Sequence, residues 1–444
     1  MGDQGLGTGG FLRSPSLRFA LASDPVPPAH VLKAPSAPPA FAGALRQLPV
    51  PMSPVPAFHP PARTLMGPGP SPVHPDVLAA LARPTLGHLD PAFVGLMDEV
   101  RALLQATFQT ENRLTMPVSG PGTAGMEGTV SNLVEPGTTV VVCRNGVFGE
   151  RLRQMVERVG GTAVVVDAPW GRAVDPDALR RTLAATPEAE VVAFVHAETS
   201  TGARSDAAAL AAVARDHDCL TICDTVTSLG GVPVRADEWG LDAVYSGTQK
   251  CLSAPPGLSP VTYSDRALDH VAKRATPVAS WFLDVSLVAG YWDPAGGTKR
   301  AYHHTAPVNM VYALHEALRR LHAEGLEEAW DRHARMHAAL AAGLDALGLR
   351  FVVPADERLP QLNAVLVPDG VDDAATRRQL LDAFGLEIGG GLGDLAGRAW
   401  RIGLMGEGAR PETVRLCLGA LESVLGRDGA LDAAESVLAE AVPA

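Results

Sequence analysis

An α/β fold is what this sequence predicts: a mostly parallel sheet with helices on both faces, followed by a smaller C-terminal α+β domain. Three observations carry the expectation. Short, continuous apolar runs alternate with helix-periodic stretches from about residue 85 to 263, the pattern of strands buried on both faces. After about residue 306 the alternation gives way to long helical stretches. Polar residues stand where several apolar runs stop, at the carboxyl ends where such sheets bind their ligands.

The first 62 residues stand apart. Of the 37 prolines, 17 fall within the first 75 residues. The pairs Pro27-Pro28, Pro38-Pro39 and Pro60-Pro61 leave no room for a helix or a central strand. Residues 1–62 are therefore expected to be a disordered extension. Arg13, Arg18, Lys33 and Arg46 raise a transit peptide as the alternative, though no amphipathic Arg-bearing helix survives the prolines. Met52 is an alternative start.

A large domain with an N-terminal arm is expected over residues 63–305. Val140–Cys143 reads as a buried strand, followed by a helix from about Phe148 to Val159 and a strand over Ala163–Val166. Asp175–Ala185 reads as a helix with Asp175 at the N-cap and Pro176 in the first turn. Val191–His196, Leu220–Cys223, Leu241–Tyr245 and Val261–Tyr263 continue the strands, with a helix over Ser205–His217. A smaller unit over 306–428 opens with the helices Val308–His322 and Leu326–Leu347. Strand Ala364–Val367, helix Ala374–Phe384, strand Ala399–Ile402 and helix Pro411–Leu425 complete it, leaving 429–444 as a tail.

Composition narrows the function. A net charge of −12 argues against a nucleic-acid binder, which needs clustered Lys and Arg. No apolar stretch approaches the ~20 residues that cross a bilayer. Five cysteines are too few for a disulfide scaffold and match no zinc spacing, so a reducing, cytoplasmic compartment and no metal are expected.

Only four lysines occur: Lys33, Lys250, Lys273 and Lys299. Lys250 ends Ser246-Gly247-Thr248-Gln249-Lys250, just past the apolar strand Ala243-Val244-Tyr245. A lysine there is either a loop residue capping carbonyls or an amine that forms a Schiff base with a carbonyl. Asp224 ends a neighbouring strand and is either a cap or the partner of a pyridinium N–H; with Lys250 it could bracket a pyridoxal ring. Ser119-Gly120-Pro121-Gly122-Thr123 precedes a helix and could hold a phosphate on its N–H groups. Phe148 is a core residue or a ring that stacks on the pyridoxal. Thr199 ends a further strand and could bond the ring hydroxyl. Arg401, in the strand Trp400-Arg401-Ile402-Gly403, needs an anion: an internal acid or a substrate carboxylate.

In order, Gly67 to Pro70, Ser119 to Thr123, Glu198 to Gly202, Asp224 to Val226, Ser246 to Lys250, Tyr302 to Thr305 and Arg401 to Gly403 form a set. The set resembles the class V pyridoxal-phosphate-dependent aminotransferases, and most of all their alanine–glyoxylate (serine–pyruvate) branch, from about Leu65 to Leu425. The resemblance implies a fold-type I homodimer with pyridoxal 5'-phosphate on Lys250 and Asp224 at the pyridine nitrogen. It further implies Val226 and Phe148 on opposite ring faces and Thr199 on the ring hydroxyl. Gly122, Thr123 and Gln249 would hold the phosphate, Tyr302 and Thr305 would reach it from the neighbouring subunit, and Arg401 would grip the substrate carboxylate. Two residues depart from the family pattern: Pro121 stands where a serine or threonine is usual, and Phe148 where many members have tryptophan.

The implied activity is transamination between a small amino acid (alanine or serine) and a 2-oxo acid, glyoxylate. Another donor, such as ureidoglycine or an aminophosphonate, is the alternative. A cysteine-desulfurase-like lyase would carry histidine where Gln249 stands. A non-catalytic pyridoxal-phosphate sensor would carry a DNA-binding module or a basic stretch.

Overall fold

Runs of β-branched residues, stiff at χ1 and suited to a pleated surface, make the central strands. The computed structural model describes residues 56–292 and 300–440. A short strand β1 (Thr64–Met66) and helices α1 (Pro75–Leu81) and α2 (Pro91–Phe108) come first. There follow β2 (Leu114–Ser119), α3 (Gly122–Leu133), β3 (Thr139–Arg144), α4 (Val147–Arg158), β4 (Thr162–Asp167), α5 (Pro176–Ala185) and β5 (Ala189–Val195). A two-strand ladder, β6 (Ala197–Glu198) with β7 (Ala203–Arg204), leads into α6 (Ala207–Asp216) and β8 (Leu220–Asp224). The single turn α7 (Ala236–Trp239), then β9 (Ala243–Tyr245), β10 (Leu258–Tyr263), α8 (Asp265–Ala272) and α9 (Val285–Trp292) close this part.

The main sheet has the strand order β2-β10-β9-β8-β5-β3-β4. β4, β3, β5, β8 and β9 run parallel, and every residue of β8 is buried, so both its faces are covered. The expected mostly parallel sheet is therefore present. Its exception is β10, antiparallel to both β9 and β2. Asp175 caps α5 as expected, accepting from the Asp177 N–H at 2.9 Å with Pro176 in the first turn.

The second part is built from α10 (Val308–Glu324), α11 (Leu326–Ala346), β11 (Leu362–Leu366) and α12 (Asp373–Phe384). It continues with β12 (Leu386–Gly390), β13 (Ala399–Gly403), α13 (Pro411–Leu425) and α14 (Ala430–Glu440). Its sheet has the order β1-β12-β13-β11, so the N-terminal strand adds to the edge of the C-terminal sheet, Thr64 beside Leu386.

The cores divide inside α11: the larger reaches Leu321 and Ala329, and the smaller takes Met336 onward together with Met66. The segment read from sequence as a tail carries α14, which buries Ala430 and Ala434 and packs on α11. Most of the proline-rich extension, Met52 included, lies outside the described residues; residues 56–63 carry neither helix nor strand. Among the described residues no helix is long and apolar enough to cross a membrane.

Candidate active site

Parallel strands deliver their last residues to one edge, and the expected chemistry collects there. Asp224 is the final residue of β8, and Lys250 follows the next strand, β9. Thr199 sits in the turn between β6 and β7, and Phe148 in the first turn of α4 after β3. Arg401, in the middle of β13, comes from the second sheet, and its Nη1 donates to the Thr199 carbonyl at 3.2 Å. Gly122 lies against Val226, where a Cβ would come within 2.9 Å of Cγ2.

Lys250 is buried, and its Nζ donates to the Pro68 carbonyl of the N-terminal arm. Ser71 fixes the same loop, its N–H donating to Gln249 O at 2.8 Å and its hydroxyl to Lys250 O at 2.7 Å. Gly69 passes so close that a Cβ would stand 2.7 Å from Nζ, and its φ of +103° suits glycine. Burial, reinforced by the charge of Arg401, pushes the Lys250 amine down to about 8. Lys273, by contrast, caps the exposed end of α8.

Asp224 is held from two sides. Its Oδ1 accepts from the Val226 N–H at 2.8 Å and its Oδ2 from the Tyr245 hydroxyl at 2.7 Å. Burial pushes the carboxyl up to about 7, against the pull of those two donors. A cation such as a protonated ring nitrogen would restore it to full ionisation.

Arg401 is buried, donates from Nε to Gly390 O at 2.7 Å, and has no carboxylate partner among the described residues. The internal ion pair that its strand position allowed is therefore absent there. Burial holds its guanidinium down to about 10, against the opposing pull of the Glu198 charge, and an anion in direct contact would relieve that cost.

The phosphate cup is read at the start of α3, whose N-cap, Pro121, offers no side-chain bond. Thr123 is exposed beside it, and the Gln249 amide leaves its Oε1 buried without a partner. Tyr302 is 63% exposed, its ring against His88, and Thr305 is exposed. Within one chain neither bonds to the cup.

Glu198 and Tyr245 were not singled out from sequence. Glu198 is fully buried, and its two oxygens accept from Phe148 N–H (3.1 Å), Gly149 N–H (3.4 Å), Ser200 N–H (3.0 Å) and the Ser200 hydroxyl (2.6 Å). Ser200 Oγ in turn accepts from Val147 N–H at 3.0 Å. The pair thus replaces the N-cap side chain that Gly146 lacks, and a Cβ on Gly146 would meet both within 2.5 Å. That glycine ahead of a helix without a capping side chain was the available signal. Burial pushes the Glu198 carboxyl up, and the donors from Ser200 and α4 pull it back.

The description "Aminotransferase class-V" fits residues 75–395 of the chain. The chain belongs to the class-V aminotransferases. It is 39% identical over 388 residues to the (S)-ureidoglycine–glyoxylate transaminase of Bacillus subtilis (strain 168), covering 83% of this chain and 92% of that one. It is likewise 39% identical over 368 residues to the alanine–glyoxylate aminotransferase of Drosophila melanogaster, with 82% and 93% covered. Among solved structures, the alanine–glyoxylate aminotransferase of Nostoc sp. superposes with a TM-score of 0.82 at 47% identity, covering 84% of this chain and 98% of that one. As a class-V aminotransferase the protein uses pyridoxal phosphate. The crevice fits that group: a buried amine, a buried acid held by two donors, an arginine awaiting an anion and a glycine-opened helix start.

Proposed function

We propose that the protein transfers an amino group from a small amino acid, alanine or serine, to glyoxylate. The observation that carries the substrate class is Arg401, a buried guanidinium beside the Lys250 amine with no carboxylate in ion-pair contact among the described residues. It supports a 2-amino or 2-oxo acid whose carboxylate docks by a bidentate pair. Glyoxylate is common to the names of the Bacillus subtilis and Drosophila relatives. The first of these supports ureidoglycine as the other donor to test. Purified protein with alanine and glyoxylate should yield pyruvate and glycine; turnover with ureidoglycine alone would move the assignment to the second donor.

Pyridoxal phosphate, when bound, supplies the electron sink that lets a substrate α-proton leave as a proton. The chain does the rest. Arg401 orients the α-carbon through the carboxylate. Lys250 Nζ takes the α-proton from the donor and returns one to the α-carbon of the new amino acid, a role suited to an amine titrating near the working pH. Asp224, fixed by Tyr245 and Val226, keeps a proton on the ring nitrogen. Gly122, Thr123 and Gln249 hold the phosphate, Thr199 the ring hydroxyl, and Val226 and Phe148 the two ring faces. A cytoplasmic setting is part of this reading, supported by five cysteines that are all free.

The site is read as shared between two copies of the chain. Trp281 (62% exposed), Phe282, Leu287 and Tyr302 expose large apolar surface. Trp281 stacks on His303 at 4.5 Å, close in sequence to Tyr302 and Thr305. Such surface supports a partner there. Tyr302→Phe with Thr305→Val is expected to weaken cofactor retention, and dilution to monomers to release cofactor that added pyridoxal phosphate restores. Sedimentation of a monomer holding cofactor as tightly as the dimer would refute the sharing.

A further inference from the structure

The cup as read so far lacks a cation. Gly122 and Thr123 offer N–H groups and a hydroxyl, Gln249 an amide, and Tyr302 and Thr305 of the other copy would offer hydroxyls. Lys250 is committed to the aldehyde carbon in this reading. His304 reaches Ser119 Oγ at 3.1 Å, but burial pushes its imidazole down to about 4, so it is neutral near pH 7. A phosphate monoester carries a charge of about −1.5 to −2 at neutral pH. Pro121 has also removed one N–H, and with it the hydroxyl that a serine would present.

Arg151 stands next to this deficit. Three residues on from Phe148 in α4, it shares the face of that ring. Its guanidinium carbon lies 4.9 Å from the ring centroid, and Nη1 donates to Thr123 Oγ1 at 3.3 Å. Its neighbours are committed elsewhere: Arg144 pairs with Asp167 and Glu150, and Arg153 with Glu150 and Glu157. Arg151 has no carboxylate partner among the described residues. A guanidinium packed on an aromatic ring, with free N–H groups beside a phosphate-binding threonine, is organised to receive an oxyanion.

We propose that Arg151 binds the cofactor phosphate, supplying the positive charge and the donor that Pro121 withholds. The assignment rests on reading the start of α3 as the phosphate cup. Phe148 orients the guanidinium and Thr123 shares its hydroxyl between Arg151 and the phosphate. The two departures of this chain then act together: a phenylalanine platform for the arginine, and a proline that makes the arginine necessary.

The test separates phosphate from ring. Apo-protein is titrated with pyridoxal phosphate and, separately, with pyridoxal, following tryptophan fluorescence. Arg151→Gln should weaken pyridoxal phosphate roughly 10- to 100-fold and leave pyridoxal within about twofold. Arg151→Lys, keeping the charge but not the fork, should lose less. Pro121→Ser in the Arg151→Gln background should recover a larger factor than it adds to wild type, because the two residues serve one anion. Unchanged pyridoxal phosphate affinity in Arg151→Gln overturns the proposal. An equal loss for both ligands overturns it too, since Arg151 would then only support the Phe148 ring. Wild-type apo-protein that binds neither ligand would instead sink the cofactor reading beneath it.

Discussion

Lys250→Ala is expected to lose at least about 10⁴-fold in transamination, through loss of both the covalent anchor and the proton carrier. The visible absorbance of lysine-bound cofactor should vanish with it, while the far-ultraviolet circular dichroism stays unchanged. No other lysine among the described residues sits at a strand end. Wild-type turnover in the variant would remove Lys250 from the mechanism. A second signature follows from the amine's position at about 8 against the 10.5 of a free lysine. Between those values the unfolded chain binds more protons than the folded one, so stability of the apo-protein rises with pH across that window. The alanine variant should lack that rise. Denaturant midpoints measured from pH 7 to 10.5 would reveal it, and parallel profiles for both proteins would mean the buried amine is not held low.

Arg401→Ala is expected to act mainly on the Michaelis constant. Losing a charged bidentate contact costs about 2–5 kcal/mol when the other partner stays buried, and the constants for donor and acceptor should both rise, since both carry the carboxylate. Arg401→Lys should recover only part, because an ammonium cannot present two parallel donors. The variants also release the Thr199 and Gly390 carbonyls, so a smaller fall in the maximal rate should accompany the change. An unaltered constant for alanine would show that another group receives the carboxylate.

Strand position and capping made much of this legible in the sequence. Val140 to Cys143 is apolar at every position and Leu220 to Cys223 at every position but Thr221, as expected of strands covered on both faces. Asp175-Pro176 and Pro411 fix helix starts that the structure reproduces. The direction of β10 was not legible, because composition does not record whether a strand runs with or against its neighbours. β12 was missed because Leu386-Glu387-Ile388-Gly389-Gly390 is short and ends in two glycines, and α14 because its Ala-rich stripe resembles a polar tail. Asp224 and Arg401 could be picked out because each polar side chain meets an apolar strand, and Lys250 because it is one of four lysines and stands just past such a strand. For Glu198 the one sequence signal was the uncapped Gly146 ahead of α4, which does not name the acid, since its partners Phe148 and Gly149 lie about 50 residues away and lend it only backbone N–H groups.

The strand β1 has a consequence for the order in which the molecule can be completed. Arg63, at its root, donates to Leu381 O, 318 residues further along the chain, and Thr64–Met66 pair with Leu386–Ile388. During synthesis at about 5–20 residues per second, the arm therefore waits roughly 15 seconds to a minute for its neighbour to be made. The main sheet, whose last strand ends at Tyr263, can assemble within that interval. Pro68 and Ser71, which close over the Lys250 loop, follow directly from the waiting strand. An early strand of the fold thus waits for a late one, and the Lys250 loop is enclosed only once the two have met.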